Sequence, residues 1–229
     1  MRALVVVAHP DDEALGAGGT IHRLAQAGHT VDVVFMSGHV AARERRPSDD
    51  ALDADIDSAQ SILGIASIER GPFPNIRMNT VDHLDLVKFV EGAIRRSRAD
   101  WIFTHHPHDL NDDHRQTSQA AQAAARLRQR DNGGEPLQGL AFMEIPSSTD
   151  WQFDGTGRAF EPNAFMEIGP EGLDRKLRAV EAYRHIMRPF PHPRSLEVVT
   201  GLAHVRGGQA GLNHAEAFQV VHLTLGQLL

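Results

Sequence analysis

Two short stretches of this chain concentrate the residue types that bind metals and move protons. The first, His9-Pro10-Asp11-Asp12-Glu13, ends one apolar run. The second, His105-His106-Pro107-His108-Asp109-Leu110-Asn111-Asp112-Asp113-His114, ends another. His9 and Asp12 stand three residues apart in a turn, a spacing that lets both side chains face one side while Asp11 points elsewhere. With His114 they make two imidazoles and one carboxylate, the three-ligand, open-position set of a catalytic zinc. Such an ion lowers the pKa of its water from about 15.7 to about 7 and polarises a carbonyl, which makes hydrolysis feasible at neutral pH. Asp11, adjacent and not ligating, is then the general base. The chain has 14 histidines, and several fall in such tight groups.

The elements around these stretches say how they meet. Leu4 to Ala8 is a continuous β-branched run, the mark of a strand buried on both faces. A helix over Glu13 to Ala27, a strand over Val31 to Met36 and a helix over Asp49 to Leu63 follow, the last with Leu52, Ile56, Ala59 and Leu63 on one stripe and Gly64 as its stop. A weak strand at Ser67 to Arg70 precedes a helix over Leu84 to Arg98, with Leu84, Val87, Phe89, Val90 and Ile94 as core candidates. Trp101 to Thr104 is a strand, Asp112 to Arg130 a long helix closed by Asn132-Gly133-Gly134, and Leu140 to Ile145 a fifth strand. Strands alternating with helices mean βαβ units and a parallel sheet. The fold class expected is α/β, Rossmann-like and three-layered, with a mostly parallel sheet in the order 3-2-1-4-5. In that order strands one and four are neighbours at the reversal, so both acidic loops face one crevice.

Beyond Pro146 the pattern changes. Residues 147 to 171 are polar, a helix runs over Leu173 to Met187, Pro189, Pro191 and Pro193 mark a rigid loop, and Glu197 to Arg206 and Ala215 to Leu223 close the chain. The expectation is a single domain over 1–229, with a Rossmann-like core over 1–146 and a dependent C-terminal cap over 147–229.

Composition excludes several classes. With 41% hydrophobic and 23% charged residues the chain is globular. Its formal charge of −7 has the wrong sign for sequence-independent binding to nucleic acid. The absence of cysteine rules out disulfides, thiolate zinc sites and a cysteine nucleophile. The first apolar run is too short for a signal peptide and ends in acids, and no run is long enough to span a bilayer, so the expected compartment is the cytoplasm. Gly16-x-Gly18-Gly19 is a poor dinucleotide fingerprint, because the glycines sit inside the first helix and three acids occupy the place of the pyrophosphate. There is no Gly-x-Ser-x-Gly elbow for a serine nucleophile.

Ala8-His9-Pro10-Asp11-Asp12-Glu13 resembles the signature of the PIG-L/LmbE N-acetylglucosaminyl deacetylases, the family that includes the deacetylases of mycothiol and bacillithiol synthesis. Asp109-Leu110-Asn111-Asp112-Asp113-His114-Arg115 is similar to its second motif. Pro189 to Ser195 and Ala215-Glu216-Ala217-Phe218 are weaker echoes, so the likeness runs through most of the chain. The resemblance implies a zinc-dependent amide hydrolase acting on an N-acyl amino sugar or glycoconjugate, with Fe2+ as another candidate ion. His9, Asp12 and His114 are its implied ligands, and Asp11 its base. Asn111 stands where many members carry a histidine, which leaves proton delivery to the departing amine to His192 or His108. Where members carry Arg-x-x-Glu, this chain has Leu52 and Asp55, so Arg43, with Arg45 and Arg46 beside it, becomes the candidate substrate contact. His106 is a further candidate at the pocket, and Asp113 a candidate carboxylate behind a ligating imidazole. Self-association is left open.

Other readings compete. His9 and Asp12 can form a simple capped helix start, and His114 a surface residue in a first turn. At the level of function the rivals are a nucleotide-dependent oxidoreductase or transferase on the same fold, and a protein that uses the metal only to bind an acyl sugar.

Overall fold

The computed structural model describes residues 1–42, 45–128, 136–153 and 157–225. In chain order the elements are β1 (Arg2–Val7), α1 (Asp12–Gln26), β2 (Thr30–Phe35), α2 (Asp49–Leu63), β3 (Ser67–Arg70), a 3-10 turn (Met78–Thr80), α3 (His83–Ser97), β4 (Trp101–His105), α4 (Asp112–Arg128), β5 (Gly139–Met143), β6 (Ala164–Glu167), α5 (Gly169–Ala182), α6 (Leu196–Ala210) and β7 (Ala215–Leu223). The expected closure of α4 by Asn132-Gly133-Gly134 lies outside the described residues.

One sheet orders the strands β3-β2-β1-β4-β5-β7-β6. The first five pair in parallel, in the predicted order, and β7 and β6 extend the sheet in antiparallel fashion. Alternation along β1 explains its unbroken apolar run. Ala3, Val5 and Val7 face one core, shared with α1 and α2, whereas Leu4, Val6 and Ala8 face the other, shared with α3 and α4. Helices α1, α2 and α5 pack together on the first side, and α3 and α4 on the second.

Local chemistry sets the element ends. Ser48 accepts the Ala51 N–H and Gly64 takes the left-handed conformation, so α2 runs over the predicted residues. At α3 the Asp82 carboxylate caps the Leu84 N–H. The helix therefore starts a residue early and leaves Leu84 in its first turn, 54% exposed, while Leu86 is the buried leucine. Leu84 is thus not a core residue. Helix α5 departs further from expectation: Gly169 (φ +64°) and Pro170 start it early, and Tyr183 leaves helical geometry instead of carrying it to Met187. The residues after it then form a loop over the carboxyl ends of the strands. The short edge strand β6 lies in a stretch that reads as polar loop, since three half-buried residues and one exposed one carry little periodic signal.

The glycines of α1 serve packing. A Cβ on Gly16 would lie 2.7 Å from Ile145 and Met143 side-chain atoms, and one on Gly19 2.8 Å from Ile168. The helix is broken at Ala17 (φ −142°, ψ 17°), and the freed N–H groups of Gly19 and Thr20 donate to the Glu216 carboxylate at 3.0 and 2.7 Å. Buried Lys176 of α5 donates to the same carboxylate at 2.6 Å. The echo around Glu216 is thus an internal anchor for α1.

Candidate metal centre

Strands β1 and β4 are adjacent and parallel, so the loops leaving Val7 and His105 start side by side. This is where strand order reverses, because β2 and β3 lie on one side and β5 on the other. The first loop is a tight turn. The Asp12 N–H donates to the His9 carbonyl at 3.3 Å, with Pro10 second and Asp11 third at φ +116°. A turn of this kind needs a left-handed third residue, usually Gly or Asn. Asp11 occupies that costly conformation, as residues at functional sites often do. Asp12 Oδ2 accepts the His9 N–H at 2.9 Å, which brings it to the same side of the turn as His9.

His9, Asp12 and His114 each offer a ligand atom, all within 4.8 Å of one another and all buried. His114 Nε2 is 3.3 Å from Asp12 Oδ2, and His9 Nδ1 is 3.4 Å from the same oxygen. The far nitrogens meet carboxylates. His9 Nε2 lies 2.8 Å from Asp113 Oδ2, and His114 Nδ1 lies 3.2 Å from Asp109 Oδ2. The latter contact is a charge approach without hydrogen-bond alignment. Asp113 is itself held by the Ile76 and Met78 N–H groups at 2.6 and 3.0 Å, and Asp109 by the Thr149 hydroxyl at 2.8 Å. Asp113 therefore backs His9, not the His114 next to it in sequence. Asp109 backs His114, a role the sequence reading did not assign.

The donor set calls for a cation. Asp11, Asp12, Asp109 and Asp113 are all buried here, and Arg194 Nη1, 3.5 Å from Asp11 Oδ2, supplies one positive charge. Burial opposes charge on His114, yet Asp12 and Asp109 outweigh it and push its pKa up to about 10. Burial likewise disfavours the Asp12 carboxylate, but His114 and His9 hold it well below the usual range. Two nitrogens and an oxygen surrounded by excess negative charge suit a divalent ion such as zinc. A second triad, His105, Asp109 and His114, also converges. There His105 Nε2 is taken by the Ala8 N–H at 2.8 Å, and its ring stacks on His114 at 3.9 Å. Burial and the nearby His114 lower the His105 pKa to about 3, so it stands as a neutral support.

The remaining candidates are dispersed. Asn111 Oδ1 accepts the Asp113 N–H at 3.0 Å and so caps α4. His106 is buried, edge-on to Phe142 and Phe160. Arg43 lies outside the described residues, and Arg46 pairs with Asp49 at 2.7 Å. His192 packs edge-on to Trp151, and its Nδ1 accepts the Arg194 N–H at 3.0 Å, which leaves its hydrogen on Nε2. Burial and the cations of Arg194 and Arg188 lower its pKa, so it is neutral at neutral pH. Glu13, beside Asp11, accepts the Tyr183 hydroxyl at 2.6 Å, while burial raises its pKa to about 8.

A cavity of about 260 Å³ opens beside the turn, lined by Arg45, Ser147, Arg184, Arg188, His192 and Arg194 among others. Arg184 enters it because α5 ends at Ala182. Its guanidinium is anchored on buried Asp55 at 2.9 Å. Arg194 was legible only as part of a Pro-rich echo, and its contact with Asp11 joins residues 183 apart in sequence.

The chain and its fold have relatives among known proteins. An Escherichia coli K12 protein named uncharacterized deacetylase YaiS is 24% identical over 192 residues, covering 79% of this chain and 89% of that protein. The conserved protein TT1542 from Thermus thermophilus superposes with a TM-score of 0.79 at 25% identity, over 98% of this chain and 96% of that one. GalB, the 4-carboxy-2-hydroxymuconate hydratase of Pseudomonas putida KT2440, gives 0.75 at 25% identity over 98% of both chains. Residues 4–125, which contain both acidic loops and the strands that join them, match the PIG-L family, GlcNAc-PI de-N-acetylase. That match spans more than half of the 229 residues, and the chain belongs to this family.

Proposed function

We propose that the chain is a zinc-dependent N-deacetylase of an N-acyl amino sugar or glycoconjugate, with His9, Asp12 and His114 as metal ligands and Asp11 as general base. The supporting observation is the convergence of these three buried donors, with a carboxylate behind each imidazole. Zinc bound there supplies an acidified water and polarisation of the acyl carbonyl. Asp11 takes the proton of the attacking water at its carboxylate, which Arg194 orients. On collapse of the tetrahedral species the same carboxyl returns the proton to the departing amine. His192, neutral and hydrogen-bearing at Nε2, acts as a donor to the developing oxyanion, not as a store for the proton. Asn111 keeps the start of α4, and with it His114, in register.

The direct test is an assay for newly exposed primary amines across a panel of N-acyl sugars. Amine release that stops on chelation and returns with zinc is expected. Release that survives removal of metal to well below one equivalent would remove the ion from the reaction.

Asp113 gives a finer check. Its carboxylate takes the Nε2 hydrogen of His9 and so presents Nδ1 as ligand, and partners of this kind contribute about 10- to 100-fold to metal affinity. Asp113→Asn is expected to weaken zinc by that factor in competition with a chromophoric chelator; unchanged affinity would mean that His9 does not bind through Nδ1.

A second reading keeps the same centre but adds water to a carboxylated substrate, the activity named for the Pseudomonas putida neighbour. The arginine-lined cavity favours it. Substrate consumption with no amine released distinguishes the two.

A further inference from the structure

The charge of the cavity beside the turn is out of proportion to the chain. Against a formal net charge of −7, its wall collects Arg45, Arg184, Arg188 and Arg194 with no carboxylate among the lining residues. Asp55 neutralises Arg184 from behind, and Asp11 lies 3.5 Å from Arg194. For Arg45 and Arg188 no carboxylate partner is found among the described residues. Cations gathered without counter-charge repel one another, and a bound anion relieves that repulsion. Guanidinium groups suit planar or tetrahedral oxyanions in particular, because each offers a fork of N–H donors.

The cavity is joined to the reaction centre by one side chain. Arg194 lines it, donates through Nε to the Ser147 hydroxyl at 2.8 Å, and reaches Asp11 with Nη1. At about 260 Å³ it falls below the roughly 300–1,000 Å³ of a complete small-molecule site. It therefore fits part of a substrate, with the rest extending past Arg194 toward Asp11.

We infer that this cavity is an anion subsite, and that the substrate carries a carboxylate or phosphate remote from the bond that is broken, held by Arg188 and Arg45 with Arg184 and Arg194. The inference rests on the reading of His9, Asp12 and His114 as the reaction centre. It deepens that reading by assigning the substrate to the anionic class.

Binding is tested separately from turnover. The full chain is titrated calorimetrically with inorganic phosphate and with malate, which tells a phosphate site from a carboxylate site, and the titrations are repeated on Arg188→Gln and Arg45→Gln. Arg188 is an exposed loop residue, so its replacement leaves the packed core untouched. Each variant is expected to weaken the preferred anion about 10- to 100-fold, the scale of a lost charge-assisted hydrogen bond. In parallel, amine release is compared for N-acetylglucosamine, its 6-phosphate and N-acetylmuramic acid. One of the anionic sugars is expected to show the higher kcat/KM, and Arg188→Gln to lower that value mainly through KM. Anion binding that is absent, or as strong in both variants as in the parent chain, overturns the subsite. So does equal turnover of neutral and anionic sugars, an outcome that leaves the deacetylase reading standing. Anion binding lost in the variants, with no amine released from any sugar by the parent chain, keeps the subsite and overturns the deacetylase.

Discussion

Replacing Asp11 with Asn is expected to lower turnover by roughly 10²- to 10⁴-fold, the usual contribution of a positioned general base, while zinc content by elemental analysis stays at the parental level. The two halves of that expectation come from one turn. Asp12 and His9 are drawn to one side by the His9 N–H bond to Asp12 Oδ2, whereas the left-handed backbone at Asp11 turns its carboxylate toward Arg194. An amide at position 11 keeps the shape and the ability to meet Arg194 through its oxygen, but it cannot accept a proton. Parental turnover in a zinc-loaded Asp11→Asn protein would assign the proton to another group, and loss of zinc would mean that Asp11 helps to hold the ion.

The second large effect is one of stability. Glu216→Ala removes the partner of Lys176, a residue only 6% exposed, leaving its ammonium group without a counter-charge, and orphans the Gly19 and Thr20 N–H groups at the break in α1. Breaking one side of a buried pair costs about 3–5 kcal/mol. For a chain of this size, that corresponds to a melting point lower by roughly 6–20 °C. Because α1 begins at Asp12, the same change is expected to weaken zinc binding. The double variant Glu216→Ala, Lys176→Met removes both charges and is expected to recover part of the loss. A single variant that melts with the parent, or a double variant less stable than the single, would rule out the ion pair as the anchor.

Much of this was legible locally. The β1 run, the α2 stripe with its serine cap and glycine stop, and the two acidic loops are patterns of residues close in sequence, where spacing and side-chain chemistry translate directly into geometry. The parallel order followed from alternation of strands and helices, and it sufficed to bring His9, Asp12 and His114 to one edge of the sheet. Where local signals were balanced, the reading slipped. Leu84 carries a core residue's side chain, but the Asp82 cap places it in an outward-facing first turn. Tyr183 extends an apolar pattern, but its hydroxyl is bonded to buried Glu13, 170 residues away in sequence, and the helix ends before it.

Local pattern was thus enough to place the first five strands, the helices between them and the turn that separates Asp11 from Asp12, because each depends on neighbours within a few residues. The folded chain alone fixes which carboxylate stands behind which imidazole. It alone set Arg194 against Asp11, and it alone gathered arginines from two distant loops into one cavity. These are contacts between residues far apart along the chain. Their distances depend on strand order and on where α5 stops, and a one-dimensional spacing does not carry that information.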